Sequence, residues 1–457
     1  MTRRLGPILL AMGILCATCA WAQNDTGTPD ADAPTQPGPK PAYIYPDATP
    51  SLNFLSQSLE NSSISLGIGT GFSYTDYGYG SSTPSQGRWL FHVTPSIRIQ
   101  QFRPKLTWHV SYAGGYQTYT NPTGQSNANS SLFAQNAGAG ILWQLARRWQ
   151  LTASDSFSHS ANPFDSYLTT VGTPTMNNPN PVTYFSLTQF TQNFGVLALT
   201  HQLTNVDKLS FAGTSNLRRT SAYSLLTSVP FYDLTSYGGR VSYSRQLSAR
   251  LSLGVGYDYN SLDFGKGQQR SGVQTIPVTA DYFIRPNITI SAWVGPEHTG
   301  TKTTVGIPIL GQIVPFTTHD SLWSTALGVN FGWRGLRNSF QAGFSRQVMD
   351  GGGIIATSQV NMVNASYRRM LTSKMDLVLA ARYVHDLSTT VSSRSFDYSG
   401  INAALTYKLA KSLHASATYA FVHQTQSNAF LIGSGSSYND SIVGVSVTYS
   451  WNHPLGR

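Results

Sequence analysis

From Ser62 to Trp451 one unit recurs: two stretches of about 12 to 15 residues alternate apolar with small or polar side chains, joined by a short basic turn. The clearest copy is 237–259. Tyr237, Val241 and Tyr243, then Leu251, Leu253, Val255, Tyr257 and Tyr259, share one face at a period of two. Gly238, Arg240, Ser242 and Ser244, then Ser252, Gly254, Gly256 and Asp258, share the other. A run of such hairpins closes into a β-barrel. With no helical layer to cover the apolar faces, that barrel places lipid outside and water inside.

The N-terminus reads as an export signal. Arg3 and Arg4 precede an apolar run, Ile8 to Ala17, that ends in Ala20-Trp21-Ala22, so residues 1–22 form a signal peptide with cleavage expected after Ala22. Leu15 and Thr18 stand where a lipid-modified cysteine needs a small neighbour, so Cys16 and Cys19 are expected to leave with the signal. No later segment holds about 18 uninterrupted apolar residues, so no transmembrane helix is expected. Exported and helix-free, the chain suits the outer membrane of a Gram-negative bacterium.

Residues 23–58 are a different material, with seven prolines between Pro29 and Pro50 among Asp, Thr, Gln and Gly. They read as a flexible periplasmic arm, or as a segment that through Tyr43, Ile44, Tyr45, Leu52, Phe54 and Leu55 enters the barrel mouth or docks a periplasmic export partner. The rest, 59–457, reads as one barrel. Its 11% charged and 12% aromatic residues with 41 glycines are unlike a water-soluble enzyme of this length. The net charge of +10 sits at strand ends rather than in a patch, which argues against nucleic acid.

Two classes of connection set size and direction. Eight short ones centre on Arg103-Pro104-Lys105, Arg147-Arg148, Asn205-Val206-Asp207, Leu247-Ser248-Ala249, Arg285-Pro286-Asn287, Gly335-Leu336-Arg337, Thr372-Ser373-Lys374 and Leu409-Ala410-Lys411. Nine longer ones lie near 76–87, 120–131, 160–186, 222–233, 263–270, 301–318, 348–354, 388–396 and 425–438. The fold class is therefore all-β: a transmembrane antiparallel up-and-down barrel of about 18 strands, or 16, with both termini periplasmic. The last strand alternates Val443, Val445, Val447, Tyr449 and Trp451 against Gly444, Ser446, Thr448 and Ser450, and six residues follow the aromatic that would mark its end for the assembly machinery.

Several turns share a pattern in which a leucine and a basic residue flank a small turn: Gln144 to Leu151, Gln246 to Leu251, Leu371 to Leu377 and Lys408 to Leu413. Lysine and arginine there reach headgroups while Trp149, Tyr243 and Tyr407 form a girdle. The pattern resembles large outer-membrane barrels of the β-barrel porin type, some of which accompany exopolysaccharide export. The resemblance implies a pore without fixing its cargo.

A barrel of about 16 to 18 strands leaves an aqueous channel. Its inward candidates are mostly Ser, Thr, Gly, Asn and Gln, with Arg240, Asp258, Asp376 and Arg382 as the charged pore-lining candidates. Pairing Tyr243 with Leu253 would set Arg240 opposite Gly256, diagonal to Asp258, and would lay the Tyr257 ring over Gly239. The third long connection, rich in Pro and Asn, is the candidate constriction, with Asp165, Tyr167, Asn177, Asn178 and Asn180. The apolar stretch Val305 to Phe316 extends a hairpin above the membrane.

No nucleophile elbow, His-Glu-x-x-His pair, phosphate loop or calcium loop occurs, and His385 and Asp386, being adjacent, face opposite ways on a strand. Neither enzyme activity, cofactor nor metal is expected. The reading is a pore for passive transport of small polar, largely uncharged solutes. The alternatives are the barrel of a polysaccharide export or secretion system, or a structural or adhesive surface barrel. Expected partners are lipid and the barrel assembly machinery, with the chain a monomer or homotrimer.

Overall fold

In a computed structural model the described residues are 62–79, 86–119, 131–160, 189–221, 233–265, 267–309, 312–351, 355–389, 395–427 and 436–455. They form nineteen strands: β1 Ser63–Tyr79, β2 Gln86–Arg103, β3 Leu106–Tyr119, β4 Ser131–Ala146, β5 Trp149–Ser160, β6 Gln189–Gln202, β7 Asp207–Ser221, β8 Leu234–Gln246, β9 Leu251–Phe264, β10 Gln269–Thr275, β11 Val278–Arg285, β12 Ile288–Ile309, β13 Gln312–Arg334, β14 Asn338–Gly351, β15 Ile355–Thr372, β16 Met375–Ser388, β17 Ser395–Ala410, β18 Leu413–Ser427 and β19 Ser436–Pro454.

Apart from β10 and β11, consecutive strands pair antiparallel, and β1 pairs with β19 from Ser63↔Pro454 to Tyr79↔Tyr438, so the sheet closes. β10 and β11 are two halves of one stave, both lying between β9 and β12. The wall therefore has 18 staves. Pro277 explains the break, because it has no N–H for the ladder. Its carbonyl instead accepts from Gly256 N at 2.9 Å, and Ile276 N donates to the Pro296 carbonyl at 3.2 Å. The Ile276 carbonyl bulges toward Gly295, where a Cβ would come within 2.1 Å of its oxygen, so only glycine fits.

All eight short turns gather at one end, together with Ser62 and Pro454. Several connections at the other end are tighter than the sequence suggests. The β12–β13 ladder runs to Ile309↔Gln312, so the apolar stretch from 305 is backbone ladder, as its composition predicts. The β9–β10 hairpin closes through Gly265 (φ 58) and Gly267 (φ 96), both in the left-handed region that favours glycine. β19 does not stop at Trp451. It continues to Pro454, and the Trp451 and His453 rings stack with centroids 5.5 Å apart.

One register differs from expectation. Tyr243 pairs with Val255, not Leu253, so Arg240 stands directly opposite Asp258 rather than Gly256. The turn explains the two-residue slip. It holds four residues, 247–250, because the Ser248 hydroxyl accepts from the N–H groups of Arg250 (3.2 Å) and Leu251 (3.1 Å). The shift also places Gly239 opposite Tyr259. A Cβ on Gly239 would meet nothing within 4 Å, so the Tyr257 ring does not cover it.

Outside and inside have exchanged the roles they hold in a soluble domain. Exposed side chains of the outer face include Leu253, Val255, Tyr257, Leu379, Val443, Val445 and Val447. Rings crowd both borders of this band: Trp143, Tyr407, Tyr449 and Trp451 toward the turns, and Phe72, Trp89, Tyr116, Phe133 and Tyr237 toward the longer connections. Between Val443 and Trp451 a tilted strand rises roughly 20 Å, close to the apolar band of a membrane barrel.

Candidate functional site in the lumen

Arg240, Asp258, Asp376 and Arg382 share the parity of the inner face, and the structure groups them in two places and one single position. Arg240 and Asp258 form a two-pronged ion pair through Nε and Nη2, each side chain partly buried. Asp376 accepts from Arg368 of β15, from Nε and from Nη2, each at 2.8 Å. Arg382 lies between Asn364 of β15 and Gly400 of β17. Asp165, Tyr167, Asn177, Asn178 and Asn180 lie outside the described residues, as do the signal peptide and residues 23–58.

Among the described residues a different hairpin, β14–β15, turns inward. The β13–β14 ladder ends at Leu327↔Arg346, whereas β14 pairs with β15 up to Gly351↔Ile355. Beyond Arg346 the hairpin leaves the wall and lies across the inner face of β7 to β12. Val348 packs with Leu234, Leu262, Phe264 and Val273. Thr357 is bound by Ser271 at 2.6 Å and by the Gln269 amide at 3.2 Å. Asp350 accepts from Arg218 Nη1 at 2.9 Å, with both side chains buried. These are not neighbouring staves, since β8, β9, β10/β11, β12 and β13 stand between β7 and β14. Staves so placed on the rim of an 18-strand barrel lie roughly 25 Å apart, so the contact exists only because the hairpin crosses inside.

Glu297 replaces part of the lost ladder. It is 1% exposed on the inner side of β12 and accepts from Ser324 Oγ (2.8 Å), Val348 N (3.0 Å) and, from Oε2's side, Thr275 Oγ1 (3.4 Å). One carboxylate thus ties β10, β12, β13 and the inturned strand β14. On its other face the hairpin presents Met349, Val360 and Met362, which continue an apolar inner surface of Val384, Phe396, Tyr398, Ala420, Val422 and Ile442.

His385 and Asp386 face opposite ways. His385 Nδ1 meets Asp397 Oδ1 at 2.8 Å on the outer face, where Tyr383 donates to the same oxygen at 2.7 Å. Asp386 points inward, fully buried, and neither of its oxygens has a hydrogen-bond partner.

Arg218, Asp350, Glu297 and Thr357 were not among the sequence candidates. Two signals pointed their way: the pair Arg218-Arg219, which sends one guanidinium to each face, and Asp350 at the head of a glycine run.

No family model and no curated protein matches the sequence. Among solved structures the chain is similar to Acinetobacter baumannii OccAB4, with 9% identity over 86% of this chain and 99% of that one at a TM-score of 0.42. It is also similar to Pseudomonas aeruginosa OpdQ, with 13% identity over 86% and 98% at 0.42. A third is the FrpB iron transporter from Neisseria meningitidis, with 11% identity over 88% and 83% at 0.41.

Proposed function

We propose that this barrel is an outer-membrane pore for passive diffusion of small polar, largely uncharged solutes. The observation that carries the reading is the inverted wall: a closed 18-stave barrel with an exposed apolar outer face bordered by rings, around an inner face rich in Ser, Thr, Gly and Asn beside one apolar sector. Its inward charges are largely neutralised against one another, as in Arg240–Asp258, Arg368–Asp376 and Arg218–Asp350. A lumen of paired charges holds no strong field for an ion of either sign, so neutral polar solutes suit it best.

In this reading the short turns face the periplasm and the export signal is cleaved after Ala22. Purified protein in a planar lipid bilayer should give stable, weakly ion-selective conductance, and vesicles containing it should swell in small sugars. Folded protein that neither conducts nor admits sugars would refute the pore.

A further inference from the structure

We propose that residues 347–351 of β14 and 355–357 of β15 form a movable gate, seated on the inner wall of β7 to β12 and latched by Arg218 and Asp350. This rests on the pore reading and adds a mechanism to it.

Three features separate this segment from a fixed piece of wall. The first is how it is held. A stave is bonded to its neighbours by a backbone ladder along its length, whereas the described inturned part of β14 meets the opposite wall through side chains, with the Val348 N–H donating to the Glu297 carboxylate instead of to a ladder carbonyl. Its seat is the apolar cluster that Val348 and Ala356 share with the wall, the Thr357 hydroxyl cluster and the Arg218–Asp350 pair. All of these can part without unzipping the barrel.

The second feature is that the seated state is incompletely satisfied. Arg218 is 1% exposed, yet its Nε and Nη2 have no hydrogen-bond partner, so only one of its three nitrogens is used. Next to the hairpin, Ser358 Oγ and both oxygens of Asp386 are buried without partners. Asp386 is opposite Val360 in the ladder, and Ser388 is opposite Ser358. Buried polar groups without partners raise the energy of the closed arrangement, and water would satisfy them once the hairpin withdrew. Attraction at the latch and desolvation beneath it oppose one another, which is the condition for two states of similar energy.

The third is a place to bend. β14 parts from β13 at Leu327↔Arg346, and the β14–β15 register shifts between Asp350 and Gly351. The segment between these two points is the piece that crosses the lumen.

The test uses the full chain with Cys16→Ser and Cys19→Ser, in which Ser271→Cys and Thr357→Cys replace two hydroxyls 2.6 Å apart. In planar bilayers the unbridged barrel should switch between a low and a high conductance level. The oxidised double-cysteine barrel should stay at the low level, and dithiothreitol should restore switching. Arg218→Ala should raise occupancy of the high level at least about tenfold, and the swap Arg218→Asp with Asp350→Arg should bring it back. Each variant is checked for the folded-barrel band on unheated gels. If oxidised and reduced barrels, with bridging confirmed by mass, carry the same current and noise, the hairpin is a fixed constriction and the gate is wrong while the pore stands. Silence of every variant and of the unmodified barrel would remove the pore itself.

Discussion

Arg218 of β7 and Asp350 of β14 meet at 2.9 Å across the inside of the barrel, with their side chains 1% and 8% exposed. A pair this deeply buried depends on close approach, and removing Asp350 strands the Arg218 guanidinium, whose Nε and Nη2 have no partner, in a dry site. Arg218→Ala or Asp350→Ala should therefore destabilise the seated hairpin by about 3–5 kcal/mol. The check is protease sensitivity: cleavage should begin near 347–357 in these variants while the rest of the barrel stays protected.

The Arg240–Asp258 pair makes a prediction about ions rather than stability. Asp258→Asn leaves the guanidinium without its carboxylate, and reversal potentials in a salt gradient should move toward that of chloride. Arg240→Gln should move them toward that of potassium. Equal reversal potentials in both variants and the unmodified barrel would place the pair off the ion path.

Asp386 is a carboxyl group with no exposure and no hydrogen-bond partner. Asp386→Asn keeps its shape and removes the possibility of buried charge, so it should stabilise the folded barrel by on the order of 1 kcal/mol. The temperature at which the folded band disappears on gels should rise.

Two glycines should behave in opposite ways. Gly295→Ala forces a Cβ to within 2.1 Å of the Ile276 carbonyl oxygen and should cost about 1–3 kcal/mol in urea unfolding from lipid vesicles. Gly239→Ala adds a Cβ with nothing inside 4 Å and should stay within about 0.5 kcal/mol.

Val255 lies on the exposed outer face among Leu253 and Tyr257. Val255→Arg should lower folding stability in vesicles by about 2–4 kcal/mol if that face contacts acyl chains. A cost near zero would take this face out of the membrane.

What could be read from the sequence is what a period of two controls. Parity alone sends Arg240, Asp258, Asp376 and Arg382 inward and parts His385 from Asp386, because successive side chains on a strand must alternate. The 18 staves follow from counting turns. Register was less accessible, since one hydroxyl, Ser248, lengthens a turn and moves Arg240 from Gly256 to Asp258. The inturned hairpin was hidden for a different reason. Val348, Asp350 and Thr357 have the parity of outward positions, and their partners Leu234, Arg218 and Ser271 are distant in the chain. No local pattern records that a strand has left its wall. The break between β10 and β11 was not read from the sequence, although Pro277, which has no N–H, is the local cause.

The parting of β13 and β14 at Leu327↔Arg346 also sets how deep the barrel sits. Above that pair, among the described residues, β13 is laddered on one side only, by β12, so a row of its backbone amides and carbonyls opens toward the neighbouring sector. Hydrocarbon offers such groups nothing to bond. In the proposed membrane reading the acyl chains end below Leu327 on that side, and the tall β12–β13 hairpin above it belongs to water and headgroups. One seam thus acts as a waterline, marking the upper limit of immersion on a wall whose lower limit is drawn by Trp143, Tyr449 and Trp451.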